Sequence, residues 1–231
     1  MTEILGAIDI GASSGRVIAG VLSDAGLELH EVARFPNGPV AKGNQLYWDF
    51  DALIASIKAG LNLLGDFASA RGITVKSIGI DTWAVDYGLV DSHGNLVATP
   101  RHYRDERNLL GASVVHETIS QHELYQENGL QFQPFNTLYQ LTAEQLRNPE
   151  SLEKAQNFLL MPDLIAFMLT GARRAEVTNA STTGLLGIKT QQWNLALCTK
   201  LGIPNSLLPD LIQPGESYGP LVGFENQGLQ N

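Results

Sequence analysis

The sequence has 231 residues, of which 44% are hydrophobic and 17% are charged. This is enough apolar chain to bury the core of a globular domain. The formal net charge is −9 at pH 7. Because a net negative surface repels nucleic acid and anionic lipid, we expect neither nucleic acid nor a membrane as a partner.

Cysteine and histidine usage excludes two kinds of site. Cys198 is the single cysteine, so neither an internal disulfide nor a thiolate metal cluster is possible. The five histidines are scattered and none has the H-E-x-x-H spacing of a zinc site.

The segment MTEILGAIDIG has no features of a signal peptide, and no apolar run approaches the length of a membrane span. We therefore expect a cytoplasmic protein.

The first ninety residues predict a strand-rich unit. Apolar runs separated by turn residues predict a three-stranded meander, at residues 4–10, 16–22 and 27–35. Asp49 or Asp51 can cap the helix that follows, and Gly72 is its predicted stop. Residues 75–80 predict a fourth strand, which ends at a carboxylate, and residues 84–91 predict a fifth.

The second half of the sequence favours helices. The helical stretches are predicted around residues 108–120, 137–147 and 162–169. A polar segment at residues 176–183 interrupts them, and a short helix after Trp193 is closed by Gly202. A βββαβ start followed by helices indicates an α/β or α+β fold.

The first candidate site is the glycine-rich segment DIGASSGR at residues 9–16. Glycines let the backbone approach a ligand closely, and successive N–H groups in a turn can bind an anion. The residues that would bind it are Gly11, Ala12, Ser13, Ser14, Gly15 and Arg16. Asp9 follows a buried run and is placed to hold Mg²⁺ beside phosphates. The alternative is an ordinary glycine-rich hairpin with a hydrogen-bonded aspartate.

The second candidate is the segment DTWAVDY at residues 81–87, which combines two carboxylates with two aromatic side chains. Carboxylates accept hydrogen bonds from sugar hydroxyls, and an aromatic face packs against sugar C–H groups. The candidate sugar-binding residues of this segment are therefore Asp81, Trp83, Asp86 and Tyr87. The alternative is that the aromatic residues belong to the core and the aspartates cap turns.

Two further polar stretches are ambiguous. In residues 102–107, Tyr103 would form part of a sugar wall while Arg104 or Arg107 orders Asp105; the alternative is a solvated charged surface. Residues 178–184 are either a functional loop or a turn-rich connection.

Taken in order, these segments resemble the FGGY carbohydrate kinase family. The opening DIGASSGR resembles the first phosphate loop of that family, and residues 78–81 resemble its substrate strand. Residues 160–163, 169–171 and 178–181 continue the likeness in order and approximate spacing. The resemblance covers essentially the whole chain and implies an α/β fold, namely an actin-like (ribonuclease H-like) ATPase domain with a mixed β-sheet and flanking helices.

Within this family the likeness is greatest to the rhamnulokinase group. It rests on residues 11–17, 81–83, 103–105 and 134–141, of which the last segment, PFNTLYQL, is the most discriminating. Glycerol kinases typically carry an Arg-Glu pair where this chain has Ala84 and Val85. The chain departs from the rhamnulokinase pattern at Ala84, where that group usually has glycine.

The resemblance implies transfer of the γ-phosphoryl group of ATP to the 1-hydroxyl of a ketose, L-rhamnulose. The cofactors would be ATP and Mg²⁺, with residues 9–16 on the phosphate side. The sugar side would be lined by Trp83, Ala84, Asp86 and Tyr103. Alternatives are another FGGY kinase, for fuculose, xylulose or gluconate, or a non-catalytic sugar-binding module.

The resemblance also implies that this chain is an incomplete enzyme. The general-base aspartate of the family lies in a His-Asp-Thr type segment, which we expect beyond Asn231, and the adenine-binding domain follows it. Residues 1–231 would then be the N-terminal, sugar-binding domain, whose missing partner is the C-terminal kinase domain. We expect this chain to be inactive by itself.

Overall fold

The structure, a computed structural model, describes residues 2–230. Its strands are β1 (Glu3–Ile10), β2 (Ser14–Ser23), β3 (Gly26–Pro36), β4 (Pro39–Lys42), β5 (Gln45–Trp48), β6 (Val75–Thr82), β7 (Tyr87–Val90), β8 (Asn157–Leu160), β9 (Arg174–Glu176) and β10 (Asp210–Ile212). Its helices are α1 (Phe50–Ser69), α2 (Arg107–Thr118), α3 (Gln121–Asn128), α4 (Thr137–Arg147), α5 (Pro149–Lys154), α6 (Met161–Thr170), α7 (Val177–Ala180) and α8 (Leu195–Lys200). Short 3₁₀ turns lie at Ser181–Thr183, Asn205–Leu207 and Gln227–Leu229.

Two of the sequence predictions reach past the described residues. Asn231, taken above as the last residue of the sugar-binding domain, lies outside them. The general-base aspartate expected beyond Asn231 lies outside the sequence itself. The domain boundary at Asn231 and the position of the general base therefore stay predictions.

The main sheet has four strands in the order β3-β2-β1-β6. The first three form the predicted antiparallel meander, and β6 pairs with β1 in parallel. Side chains alternate across β1, so Ile4, Ile8 and Ile10 are buried beneath one face. Helix α1 covers that face with Leu61 and Leu64, which are also fully buried. The α/β fold with a mixed sheet and flanking helices is therefore confirmed.

Helix α1 begins where the sequence indicates. Of the two candidate caps it is Asp49 that accepts a hydrogen bond from the Ala52 N–H, at 3.2 Å, while Asp51 lies in the first turn. The helix ends at Ser69, and Gly72 follows in a left-handed turn with φ +67°. A side-chain cap satisfies one of the orphan N–H groups of the first turn and so fixes the start of the helix.

The strand pair β7–β8 separates two hydrophobic cores. Because successive side chains of a strand point to opposite faces, Leu159 packs into the core between the sheet and α1. Its neighbours Phe158 and Leu160 pack into a second core. That second core is formed with α2, α4 and α8, and the loop between β6 and β7 therefore lies where the two cores meet.

Several element boundaries differ from the sequence predictions. The fifth strand begins at Tyr87 rather than at Ala84, because Ala84 and Val85 have φ of +52° and +50°, which a strand excludes. The helix predicted around residues 108–120 is confirmed as α2, and a further helix, α3, which was not predicted, follows it. They are divided at Ser120, which forms a capping box with Glu123.

The remaining helix predictions are confirmed within a residue or two, at α4, α6 and α8. None of the helices within residues 2–230 combines the length and the apolar character needed to cross a bilayer.

Candidate functional site

The sheet brings the first two candidate segments to the same edge. Strands β1 and β6 are parallel neighbours, and their last residues pair as Ile10 with Thr82. Loops that follow the carboxyl ends of adjacent parallel strands leave the sheet side by side. Asp9 also pairs in register with Asp81 on the neighbouring strand. The glycine-rich turn and the loop at residues 83–86 therefore lie next to each other.

The glycine-rich turn is held by hydrogen bonds from its own backbone and from Asn37. The Gly11 N–H donates to the Ser14 carbonyl at 2.8 Å. The Asn37 side-chain amide donates to the Gly11 carbonyl at 2.9 Å, and its backbone N–H donates to the Ser13 carbonyl at 3.1 Å. Ala12 is half-buried against the core and Ser13 is exposed. The turn therefore has a fixed shape and an accessible outer surface.

The two glycines of this turn have different roles. A Cβ at Gly15 would lie 2.3 Å from the ring of Phe35, so glycine is required there for packing. A Cβ at Gly11 would meet only the Ser14 carbonyl at 3.5 Å, which is an ordinary contact. The presence of glycine at position 15 is therefore due to packing against Phe35. Only at Gly11 could the close approach of a ligand account for a glycine.

Asp9 forms an ion pair with Arg16 across the β1–β2 pair. Arg16 donates from Nε and from Nη2 to Asp9 Oδ2, at 2.7 and 2.6 Å. The side chains of Arg16 and Asp9 are 43% and 36% exposed, so the pair is open to solvent. Within residues 2–230, no group of three or more His, Cys, Asp or Glu side chains is arranged to hold a metal ion. The role of Asp9 beside Mg²⁺ stays a prediction.

Asp86 is the centre of a buried hydrogen-bond network. Its Oδ2 accepts from Trp48 Nε1 at 2.6 Å, from Trp83 Nε1 at 3.1 Å and from the Tyr103 backbone N–H at 3.1 Å. Its Oδ1 accepts from Gln140 Nε2 at 3.2 Å. Burial raises the pKa of Asp86 to about 6, and the four hydrogen bonds oppose that rise.

Aromatic rings surround this carboxylate in a continuous row. The ring of Trp48 lies 4.0 Å from that of Trp83 and 4.3 Å from that of His102, measured between centroids. His102 stacks on Tyr103 at 4.4 Å, and Phe135 meets Tyr103 edge-on at 6.0 Å. Trp83 and Tyr103 are half-buried, so this row presents an aromatic surface at the edge of the site.

The turn before Asp86 has an unusual backbone. Ala84 and Val85 are consecutive non-glycine residues in the left-handed region, which is unfavourable for alanine and more so for a β-branched side chain. The Ala84 N–H donates to Thr82 Oγ1 at 3.0 Å, and the Val85 carbonyl accepts from Gln140 Nε2 at 3.1 Å. Contacts from both sides therefore stabilise the conformation.

The third candidate segment is ordered differently from the prediction. Asp105 is buried, and it accepts from the Leu46 and Arg107 backbone N–H groups and pairs with Arg101 at 3.3 Å. The Arg107 guanidinium instead forms a buried ion pair with Glu144. Arg104 is exposed, with its guanidinium 5.2 Å from the Tyr103 ring centroid. Neither arginine side chain orders Asp105, although Tyr103 does join the aromatic row.

The polar stretch at residues 178–184 is a structural connection. Glu176 caps α7 by accepting from the N–H groups of Thr178 and Asn179. The Asn179 side chain donates to the buried carboxylate of Asp163 at 3.3 Å, and Gly184 ends the stretch with φ +78°. These contacts explain the polar residues without a ligand.

Trp48 and Gln140 were not identified from local sequence patterns. Trp48 lies 38 residues before Asp86 and reaches it from the β4–β5 hairpin, whose four-residue strands give little periodic signal. Gln140 lies in the PFNTLYQL segment, and the resemblance was the only signal that marked it. A cleft of about 520 Å³ lies beside Trp48. It is lined by this hairpin, by residues 49–51 at the start of α1 and by residues 96 and 98–100, and not by Trp83, Ala84 or Tyr103.

Comparison with known sequences gives a consistent family. A sequence profile described as FGGY family of carbohydrate kinases, N-terminal domain, matches residues 4–228. A rhamnulokinase of Oceanobacillus iheyensis is 44% identical over 211 residues, which cover 91% of this chain and 44% of that protein. A rhamnulokinase of Bacteroides thetaiotaomicron is 39% identical over 216 residues, covering 94% of this chain and 44% of that protein. The chain thus spans less than half the length of these relatives.

Comparison with solved structures shows the same fold. The xylulose kinase of Rhodospirillum rubrum superposes with a TM-score of 0.85 at 17% identity, over 96% of this chain and 46% of that protein. Plasmodium falciparum glycerol kinase with ADP superposes with a TM-score of 0.78 at 20% identity, over 95% of this chain and 45% of that protein.

Proposed function

Because the chain belongs to the FGGY family of carbohydrate kinases, we propose that it is the sugar-binding half of an ATP-dependent kinase acting on the 1-hydroxyl of L-rhamnulose. The observation that carries the proposal is the convergence of the glycine-rich turn and the loop at residues 83–86 on one sheet edge. A donor phosphate and an acceptor sugar must meet in this way for phosphoryl transfer. Relatives named rhamnulokinase support the choice of sugar.

The sugar side of the site is proposed to be Trp83, Ala84, Asp86 and Tyr103. The half-buried rings of Trp83 and Tyr103 offer apolar faces for sugar C–H groups. Ala84 is half-buried in the left-handed turn beside them. Asp86 supplies the charge around which these groups are arranged.

The phosphate side is proposed to be the turn from Gly11 to Arg16. Arg16 carries a positive charge beside the accessible outer surface of the turn, and Ser13 adds an exposed hydroxyl. Asp9 and the neighbouring Asp81 are solvent-accessible carboxylates, which are the hard oxygen ligands that suit a largely hydrated Mg²⁺. When bound, Mg²⁺ would neutralise phosphate charge, while Asp9 would position the ion.

The general base and the adenine site are proposed to lie outside this chain, beyond Asn231. The relatives are more than twice as long as the aligned region, and the matched profile is that of an N-terminal domain. One wall of a sugar cleft would bind sugar weakly, because hydroxyl hydrogen bonds open to water are worth only about 0.5–1.5 kcal/mol each. We therefore expect a millimolar or weaker dissociation constant for L-rhamnulose and no turnover by residues 1–231 alone.

The test is a coupled ADP-release assay with Mg-ATP. A full-length protein containing this chain is assayed with L-rhamnulose, L-fuculose, D-xylulose and gluconate, and the isolated chain is assayed beside it. We expect the highest kcat/KM for L-rhamnulose in the full-length protein and background rates for the isolated chain. A higher kcat/KM for another sugar would reject the substrate, and sugar-dependent turnover by the isolated chain would reject the division of labour.

A further inference from the structure

A carboxylate that binds a sugar hydroxyl must offer it an oxygen atom, and Asp86 offers none in this structure. Its side chain is 0% exposed. Oδ2 already accepts three hydrogen bonds and Oδ1 a fourth. An ionised carboxylate has about four lone-pair sites. Oδ2 therefore has no free acceptor site, and Oδ1, which accepts a single bond, is inaccessible to a ligand because the residue is fully buried.

The four donors come from four separate parts of the chain. Trp48 belongs to β5, Trp83 to the loop after β6, Tyr103 to the segment before α2, and Gln140 to α4. Two of the donors are indole N–H groups of adjacent rings. A single carboxylate thus fixes the planes of both indoles and the backbone position from which the Tyr103 ring projects.

Gln140 extends this control to the strained turn. Its Nε2 lies 3.2 Å from Asp86 Oδ1, 3.1 Å from the Val85 carbonyl and 2.9 Å from the Phe135 carbonyl. A left-handed β-branched residue such as Val85 persists only where surrounding contacts over-determine it. The contact between Gln140 and Asp86 therefore links the turn that carries Ala84 to the aromatic row.

We propose that Asp86 is a positioning residue, which holds Trp83, Ala84 and Tyr103 in the geometry that receives the sugar and does not itself bind a sugar hydroxyl. The proposal rests on the proposed function, because it assigns a role within that sugar site. Its physical basis is preorganisation, since rings and a turn fixed before binding need not be ordered by the ligand.

The first experiment compares sugars that lack single hydroxyl groups. In the full-length kinase, Asp86→Asn keeps the shape of the side chain but replaces an acceptor oxygen with a donor. We expect kcat/KM to fall about 10- to 100-fold, and by the same factor for L-rhamnulose and for each accepted mono-deoxy analogue. If Asp86 instead accepted a hydrogen bond from a sugar hydroxyl, Asp86→Asn would not lower kcat/KM for the analogue that lacks that hydroxyl. That result would overturn the proposal.

The second experiment needs no sugar. Near-ultraviolet circular dichroism of the unliganded protein reports the packing of Trp48 and Trp83. We expect Asp86→Asn to change this signal while the far-ultraviolet spectrum is preserved, and we expect the exposed carboxylate variant Asp51→Asn to leave both spectra unchanged. An unchanged near-ultraviolet signal in Asp86→Asn would refute the positioning role, whichever sugar the kinase uses.

Gln140→Met provides a second variant if Asp86→Asn does not fold. It removes one donor to Asp86 and keeps the length of the side chain. We expect a smaller but equally uniform loss of kcat/KM across the analogues, together with a changed near-ultraviolet signal. If the full-length kinase prefers another sugar, the proposed substrate is wrong. The same comparison, made with deoxy analogues of that other sugar, would still decide the role of Asp86.

Discussion

Ala84 is the residue at which this chain departs from the usual rhamnulokinase pattern, and its backbone has φ +52°. A left-handed conformation costs a non-glycine residue about 1–2 kcal/mol, whereas glycine adopts it freely. Glycine also has more unfolded-state entropy, which offsets part of that gain. We expect Ala84→Gly to raise the free energy of unfolding by about 0.5–1 kcal/mol, measured by urea denaturation.

The matched control for Ala84→Gly is Ala25→Gly, in the exposed β2–β3 turn, where φ is not positive. There only the entropic cost applies, so we expect a decrease of about 0.5–1 kcal/mol. Equal decreases in the two variants would show that the left-handed turn at Ala84 carries no strain.

Asp9 tests the phosphate side at the same scale. In the full-length kinase we expect Asp9→Asn to lower kcat by 100-fold or more, because a preorganised electrostatic group near the phosphates is lost. Its half-exposed pair with Arg16 is worth at most about 1 kcal/mol, so the melting temperature should change little. The control is Glu3→Gln, on the same strand as Asp9, which breaks the exposed ion pair between Glu3 and Lys76 of β6. We expect this variant to leave kcat unchanged. Normal turnover with a lower melting temperature in Asp9→Asn would indicate a structural role.

At the scale of elements, α2 and α4 are closely packed at Gly111. An added Cβ there would lie 1.9 Å from the Tyr139 carbonyl oxygen and 3.1 Å from the Ala143 nitrogen, both of them backbone atoms. Gly→Ala in a helix interior is normally stabilising by about 1 kcal/mol, but overpacking against backbone costs about 1–3 kcal/mol or more. We expect Gly111→Ala to lower the free energy of unfolding by at least about 2 kcal/mol.

Gly79→Ala is the control for this helix contact, because a Cβ at Gly79 meets no atom within 4 Å. Thermal and urea denaturation should show little loss of stability for Gly79→Ala. If Gly111→Ala were equally stable, the two helices would have to separate readily, contrary to the close packing observed.

The elements that the sequence predicts well are those with a long periodic signal. The first two strands of the meander have their expected positions, and burial alternates along most of each with the period of a strand. The strand predicted from Ala84 fails for a different reason. Its residues are apolar and suit a strand, but Thr82 and Gln140 hold the backbone in a turn. The contact with Gln140 joins residues 55 positions apart, so no local sequence pattern could have indicated it.

The candidate site was predictable to the same extent. The hypothesis named Trp83, Asp86 and Tyr103 from composition and resemblance, and the structure brings these three residues together. The hypothesis did not include Trp48 or the link that Gln140 makes, because these residues lie 38 and 54 positions from Asp86 in the sequence. Short hairpins and single long-range hydrogen bonds leave no periodic trace in a sequence.

At the scale of the whole molecule, Asp163 ties together distant parts of the chain. Its carboxylate is 1% exposed and accepts from the Tyr218 hydroxyl at 2.6 Å, from the Glu176 N–H at 3.0 Å and from Asn179 at 3.3 Å. The first turn of α6, the β9–α7 connection and the segment near residue 218 therefore converge on one buried carboxyl group. Global unfolding must break all of these contacts.

The protonation of Asp163 should therefore appear in the stability of the entire domain. Burial raises its pKa from 3.8 to about 6, against the hydrogen bonds from Tyr218, Glu176 and Asn179, and the nearby Glu176 carboxylate adds to the rise. Between these two pH values the folded chain retains a proton that the unfolded chain has lost. The contribution of Asp163 is thus fully present below about pH 4 and is lost as the pH rises through about 6.

Comparison with Asp163→Asn isolates this effect, because Asp86 also has a raised pKa and remains in both proteins. We expect the free energy of unfolding of the wild type, minus that of Asp163→Asn, to fall by up to about 3 kcal/mol between pH 4 and pH 7 in urea titrations. Asp91→Asn is the control, since hydrogen bonds from Asn95 lower the pKa of the exposed Asp91 below its ordinary value of 3.8. Its contribution is lost only as the pH falls below about 4, so it should stay nearly constant between pH 4 and pH 7. A wild-type advantage over Asp163→Asn that is constant from pH 4 to pH 7 would mean that Asp163 stays ionised throughout, with its three donors outweighing the cost of burial.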